Sequence, residues 1–112
     1  MNWRLDKNRG ICPQICEQLC ARIVAKEFLP GQRLLSVREV ALQAGVNPNT
    51  VMRSYEKLDG DGIIFNRRGI GYFVAEGAKA HIKQLERQKF IDEELPKLRE
   101  RLALLELTIE VK

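Results

Sequence analysis

No apolar stretch among the 112 residues approaches the ~20 residues that cross a bilayer. The opening Met1-Asn2-Trp3-Arg4-Leu5-Asp6 lacks the apolar core of a secretory signal. A cytoplasmic protein without a membrane partner is therefore the expectation. Histidine occurs once, at His81, and cysteine only at Cys12, Cys16 and Cys20. An odd number of cysteines confined to one short stretch is no disulfide framework. Their i, i+4, i+8 spacing sets them along one helical face, where they read as small buried hydrophobes of a first helix. The alternative is thiolate chemistry, with metal ligation or oxidant sensing. His81 lies far off and no second cysteine cluster exists, so burial is the expectation and neither a metal nor a cofactor is expected. No phosphate loop or Ser/His/Asp set appears, and Gly69-x-Gly71 is too short for a dinucleotide fingerprint. An enzyme is not expected. Internal repeats and low-complexity segments are also missing.

What is present is an uneven charge. Residues 1–74 carry eleven basic and seven acidic side chains, whereas residues 75–112 carry eight of each. The net charge of +4 thus sits wholly in the first two thirds. A basic front and a balanced tail suit a polyanion-binding module joined to an interaction module; a solvated basic surface is the plainer alternative. Hydrophobic residues make up 45% of the chain, enough to build a core.

Gly10 and Pro13 open a helix expected over about Pro13–Lys26, with Ile15, Cys16, Leu19, Cys20 and Ile23 as its buried stripe. Phe28-Leu29-Pro30-Gly31 breaks it, and Gln32–Leu35 reads as one extended rung. Ser36 with Glu39 three residues on forms a capping box for a helix from Val37 to about Ala44. Gly45 ends that helix. Asn47 caps the next one, with Pro48 at the first helical position, running to about Leu58 with Val51, Tyr55 and Leu58 inward. Asp59-Gly60-Asp61-Gly62 stops it. Ile63-Ile64-Phe65-Asn66 and Tyr72-Phe73-Val74 read as two strands across the turn Arg67–Gly71. From Glu76 the pattern is helical again. Ile91, Leu95, Leu98, Leu102, Leu105 and Ile109 step as a heptad seam, with a kink expected near Pro96. Helix from Glu76 to Leu104 would span about 43 Å. Glu106-Leu107-Thr108 is expected to bend the chain, with Thr108 capping a last short turn.

The expected fold is mainly α with a small β-hairpin: a winged helix-turn-helix over residues 1–75, followed by a helical dimerisation tail over residues 76–112. Ala41 is small where two helices cross, Gly45 takes the tight turn, and Val46 and Val51 fill the wedge between the helices. The blocks Leu34-Leu35-Ser36-Val37-Arg38-Glu39-Val40-Ala41, Gly45-Val46-Asn47-Pro48-Asn49-Thr50-Val51, Tyr55-Glu56-Lys57-Leu58 and Arg68-Gly69-Ile70-Gly71-Tyr72-Phe73-Val74 occur in order. Over about residues 13–76 they resemble the GntR family of bacterial regulators. Glu94-Leu95-Pro96-Lys97-Leu98 and the heptad leucines are similar to the YtrA-like subfamily, whose members have a two-helix dimerisation tail in place of a large effector domain. Leu35 stands where the family usually has proline, and Pro48 where many members have a base-reading arginine. The resemblance implies a transcription regulator, a repressor. The leucine seam, which in so short a chain must pack on the domain or on a second copy, leads to the expectation of a homodimer, and its two-fold symmetry to a palindromic operator.

Double-stranded DNA is the expected partner. Asn47, Asn49, Thr50 and Arg53 lie on the first turn and a half of the expected recognition helix, where asparagine can pair with adenine and arginine with guanine. By the resemblance, Arg38 corresponds to a DNA-contacting arginine of the second helix. Arg67, Arg68 and Gly69 form the wing: the glycine admits a close sugar-phosphate backbone and the arginines suit a narrow minor groove. Against these stand blander alternatives: Arg53 salt-bridged to Glu56 or Glu39, Asn47 only a cap, the wing an exposed basic turn. Tyr55 is expected in the core and not on a base. The residues expected to dimerise are Ile91, Leu95, Leu98, Leu102 and Leu105; packing of the seam back on the first helix is the alternative. A small-molecule effector of unknown identity would sit at the dimer interface or act through the tail. The rival function is a winged-helix module that binds protein or RNA.

Overall fold

The computed structural model describes residues 1–110. The chain divides into two compact units, Met1–Ile82 and Lys83–Lys112.

The first unit begins with a segment that lies on the core through Met1, Trp3 and Leu5. Helix α1 covers Ile11–Val24. It starts and stops two residues earlier than the sequence suggested. Pro13 falls in the first helical turn, where a missing N–H leaves no intrahelical bond unmade. At the other end Lys26 takes φ +65°, so the helix stops before the Pro-Gly turn is reached. Gly10 offers no side chain as a cap. Buried Gln14 instead ties the preceding turn to the helix: its amide nitrogen donates to the carbonyls of Asp6 (2.7 Å) and Gly10 (3.1 Å), and its oxygen accepts from Asp6 N–H.

Helix α2, Val37–Ala44, carries the complete capping box. Glu39 N–H donates to Ser36 Oγ at 3.0 Å and Ser36 N–H to Glu39 Oε1 at 3.2 Å. Gly45 closes it at φ +67°, a conformation that costs glycine little. Helix α3, Pro48–Gly60, is capped by Asn47 and extends two residues past the expected end. Strands β1, Ile64–Arg67, and β2, Gly71–Val74, pair antiparallel with Ile64 opposite Val74 and Arg67 opposite Gly71. Pairing starts at Ile64 because Ile63 N–H is taken by the Leu58 carbonyl at the end of α3. The Gln32–Leu34 rung adds to the other side of β2. Leu34 N–H donates to Tyr72 O, Val74 N–H donates to Gln32 O, and Arg33 faces Phe73.

The core gathers Ile15, Leu19 and Ile23 of α1, Val40 and Ala41 of α2, Val51, Tyr55 and Leu58 of α3, and Ile64 and Val74 of the hairpin. Tyr55 is fully buried, donates to the Leu35 carbonyl at 2.6 Å, and meets Tyr72 edge to face at 5.0 Å. Helix α4, Ala78–Lys89, begins two residues after Glu76, past Gly77 at φ +74°. Its Ala78 and Ile82 complete this core.

In the second unit α4 runs into a π-helical turn, Phe90–Glu94, and then α5, Leu95–Leu104. This turn is the form that the disturbance expected at Pro96 takes. Proline has no N–H for the Asp92 carbonyl and its ring crowds that carbonyl, so the preceding turn widens: Leu95 N–H donates to Phe90 O, five residues back. Leu105 is the C-cap of α5, and Glu106 at φ +56° ends the helical path. Ile109 therefore lies outside the helix that carries the rest of the seam. Thr108 to Glu110 are not helical; the short turn expected after Thr108 would need residues 111 and 112, outside the described residues. Ile91, Leu98 and Leu105 are exposed, while Leu95 and Leu102 are half-buried.

Candidate nucleic-acid interface

Two local signals place the first set of polar groups. The Asn47 carboxamide oxygen accepts Asn49 N–H at 2.8 Å, which fixes the start of α3 after the tight turn at Gly45. Pro48 then stands where its absent N–H is harmless. The result is a first turn and a half on which Asn47, Asn49 and Arg53 are exposed and Thr50 is half-buried. Arg53 Nη2 donates to Thr50 Oγ1 at 3.5 Å. Neither salt bridge weighed for Arg53 forms: Glu39 is engaged in the capping box, and no ion pair joins Arg53 to Glu56 among the described residues. Asn47 serves as the cap; its amide nitrogen makes no hydrogen bond among the described residues. Arg38, on the first turn of α2, is exposed and without an ion pair there.

The wing supplies the second set. Arg68, Gly69 and Ile70 are the turn between β1 and β2, with Ile70 N–H bonded to Arg67 O at 2.9 Å. Gly69 has φ +79°, where a side chain would be strained. Ile70 at the tip is 55% exposed. Arg67 is exposed yet rests on two rings: its guanidinium lies 5.2 Å from the Phe73 ring centre and 5.8 Å from that of Phe65, and these two rings stack at 5.8 Å. Such contacts pin a flexible cation and lower the entropy lost when it binds.

Behind these surfaces the packing is polar but satisfied. Ser54 Oγ, on the buried side of α3, donates to Thr50 O and lies 3.2 Å from Cys12 O, and Cys16 Sγ lies 3.5 Å from Ser54 O. Burial, followed by the neighbouring Cys12 and Cys20, pushes the Cys16 thiol up to about 12. The middle member of the cysteine row is thus protonated at neutral pH and a poor thiolate. Cys12 and Cys20 are half-buried. Among the described residues no group of three His, Cys, Asp or Glu is placed to hold a metal, and no helix is long and apolar enough to cross a membrane.

Sequence reasoning missed two residues. Gln14 holds the N-terminal segment to α1, and no spacing rule marks a buried glutamine whose partners are backbone carbonyls. Arg33 lies beside β2 of the wing; its only sequence signal is the extended rung Gln32–Leu35, because the strand it pairs with is far off in the chain.

The model of the family described as "Bacterial regulatory proteins, gntR family" matches residues 13–74. Over 79 residues the chain is 46% identical to an uncharacterized HTH-type transcriptional regulator of Bacillus subtilis, YhcF, covering 70% of this chain and 65% of that one. It is 42% identical over 66 residues to the HTH-type transcriptional repressor YtrA of the same organism, covering 59% and 48%. The chain thus spans less than two thirds of the first relative's length and about half of the second's. A crystal structure of a GntR-family regulator from Bacteroides thetaiotaomicron superposes with a TM-score of 0.78 at 41% identity, covering 88% of this chain and 86% of that one. The AraR DNA-binding domain, solved in complex with operator ORE1, superposes with a TM-score of 0.57 at 25% identity, covering 67% and 94%.

Proposed function

The chain belongs to the gntR family of bacterial regulatory proteins, and from that premise we propose that it is a cytoplasmic, sequence-specific DNA-binding repressor that acts as a homodimer on a palindromic operator. One observation carries this reading. The capped start of α3 presents Asn49 and Arg53 to solvent without acidic partners among the described residues, on a domain that also carries a basic glycine wing. Asn49, Thr50 and Arg53 read base edges in the major groove, with Asn47 setting their register; Arg38 holds a phosphate; Arg67, Arg68 and Gly69 meet the minor groove. Residues 1–75 bind DNA and residues 76–112 dimerise. The exposure of Ile91, Leu98 and Leu105 in the single chain supports the second role, because an apolar row left in water favours a partner. That AraR was solved with an operator and that a relative is named a repressor support the choice of partner and of sign.

Selection of sites from random duplex DNA tests the whole reading, with light scattering of the free protein alongside. Enrichment of an inverted repeat whose half-sites lie ~34 Å apart, one turn of DNA, and a dimer in solution are the expected outcomes. A monomer at micromolar concentration would remove the dimer. Weak binding with no enriched motif would move the assignment to a protein- or RNA-binding module.

A further inference from the structure

We propose that Arg33 is a further phosphate contact of the wing, a third cation built into it from outside the hairpin; this rests on the DNA-binding reading above. In an antiparallel sheet, directly paired residues and residues two apart share a face. Arg33 faces Phe73, Phe73 faces Phe65, and Arg67 faces Gly71. These five therefore occupy one face. The opposite face carries Ile64 and Val74, both fully buried in the core, so the face of Arg33 is the outer one. Backbone bonds on either side of Arg33, Leu34 N–H to Tyr72 O and Val74 N–H to Gln32 O, each 2.9 Å, hold it rigidly to β2.

The side chain is placed as well as the backbone. A Cβ at Gly71 would stand 3.0 Å from Arg33 Nε and 3.4 Å from its Nη2. The guanidinium thus lies against a position where the wing has no side chain, next to the pair that closes the turn. Gly71 also has φ +142°, so both the space and the backbone favour glycine there. Arg67 flanks the same spot from the Phe65 and Phe73 rings. Arg33 makes no hydrogen bond or ion pair among the described residues, and neither Arg67 nor Arg68 has an acidic partner there. Arginines gathered around one turn without a counter-charge repel one another in the free protein, and a phosphate row relieves that repulsion. Because phosphates carry no sequence, Arg33 adds affinity and salt dependence, not specificity.

The test uses the full chain, a duplex recovered by selection and a random duplex, with binding measured from about 50 to about 200 mM salt. Each neutralised phosphate contributes about 0.9 to the slope of log affinity against log salt. Because the proposed dimer carries two copies of Arg33, Arg33→Gln is expected to flatten the slope by about 1.8, which shrinks the affinity ratio across this fourfold range by about 12-fold. Both duplexes lose alike. Arg33→Lys keeps the wild-type slope and controls for loss of the charge alone, and thermal melting of each variant controls for folding. A wild-type slope in a folded Arg33→Gln overturns the assignment while leaving the DNA-binding reading intact. So does a loss confined to the selected duplex, or an Arg33→Lys that loses slope as the glutamine does. Wild-type protein that binds no duplex overturns both.

Discussion

Replacing Tyr55 by phenylalanine removes one oxygen from the centre of the first unit and leaves the ring in place. That oxygen donates to the Leu35 carbonyl at 2.6 Å, across the junction between the extended rung and the Ser36 cap of α2. The residue is 0% exposed, so water cannot replace the donor without opening the core. A buried acceptor left unsatisfied costs about 1–3 kcal/mol. Leu35 itself is half-buried, which puts the expected loss at the lower end, about 1–2 kcal/mol. For a unit of this size each kcal/mol moves Tm by roughly 4–8 °C, so Tyr55→Phe should melt about 5–15 °C lower. Guanidinium unfolding followed by circular dichroism should show the midpoint moving at constant m. DNA affinity at 25 °C should change little, because the folded state remains dominant and the ring touches no outer surface. An unchanged midpoint would show that the bond contributes nothing net. A large affinity loss at unchanged stability would place Tyr55 in the DNA interface and refute its role in the core.

The capping box gives a second prediction: Ser36→Ala should lose about 1 kcal/mol, read as a lower denaturation midpoint, whereas Ser36→Thr should lose much less; equal losses would deny the side-chain bond to Glu39 N–H. The third concerns alkaline pH. Burial first, then neighbouring charge, raises Cys16 from 9.0 to about 12 and raises Tyr55 and Tyr72 above 10. Groups raised in the folded state contribute stability that is fully present below their unfolded values and lost as pH climbs towards the folded ones. The urea midpoint should therefore hold up to about pH 9 and fall between 9 and 12, beginning with Cys16. In Cys16→Ala the onset should shift to the tyrosine range above 10; a midpoint as high at pH 10.5 as at pH 7 would contradict the burial of all three.

The order of the elements and the ends marked by caps were legible in the chain, because those signals act within a few residues. Ser36 with Glu39, Asn47 with Pro48, and Gly45 after Ala44 each satisfy or release backbone groups locally, and the structure shows each cap at the residue expected. The 3–4 spacing of Ile15, Leu19 and Ile23 and of Val51, Tyr55 and Leu58 identified the buried faces, since amphipathic periodicity is a property of one helix alone. The exposure of Asn49 and Arg53 follows from the same periodicity. Misplaced ends had non-local or conformational causes: Lys26 adopting a left-handed backbone, Ile63 giving its N–H to Leu58, and Pro96 widening the turn before it instead of simply kinking the helix. The side-chain partners, near and far, are settled only by the folded packing. Gln14 meets three carbonyls of the preceding turn, Tyr55 reaches Leu35, Arg67 rests on Phe65 and Phe73, and Arg33 lies against Gly71. Residues far apart in the chain have no spacing rule, so a contact such as that of Arg33 with Gly71 exists only once the rung has found β2 and excluded water from the face behind it.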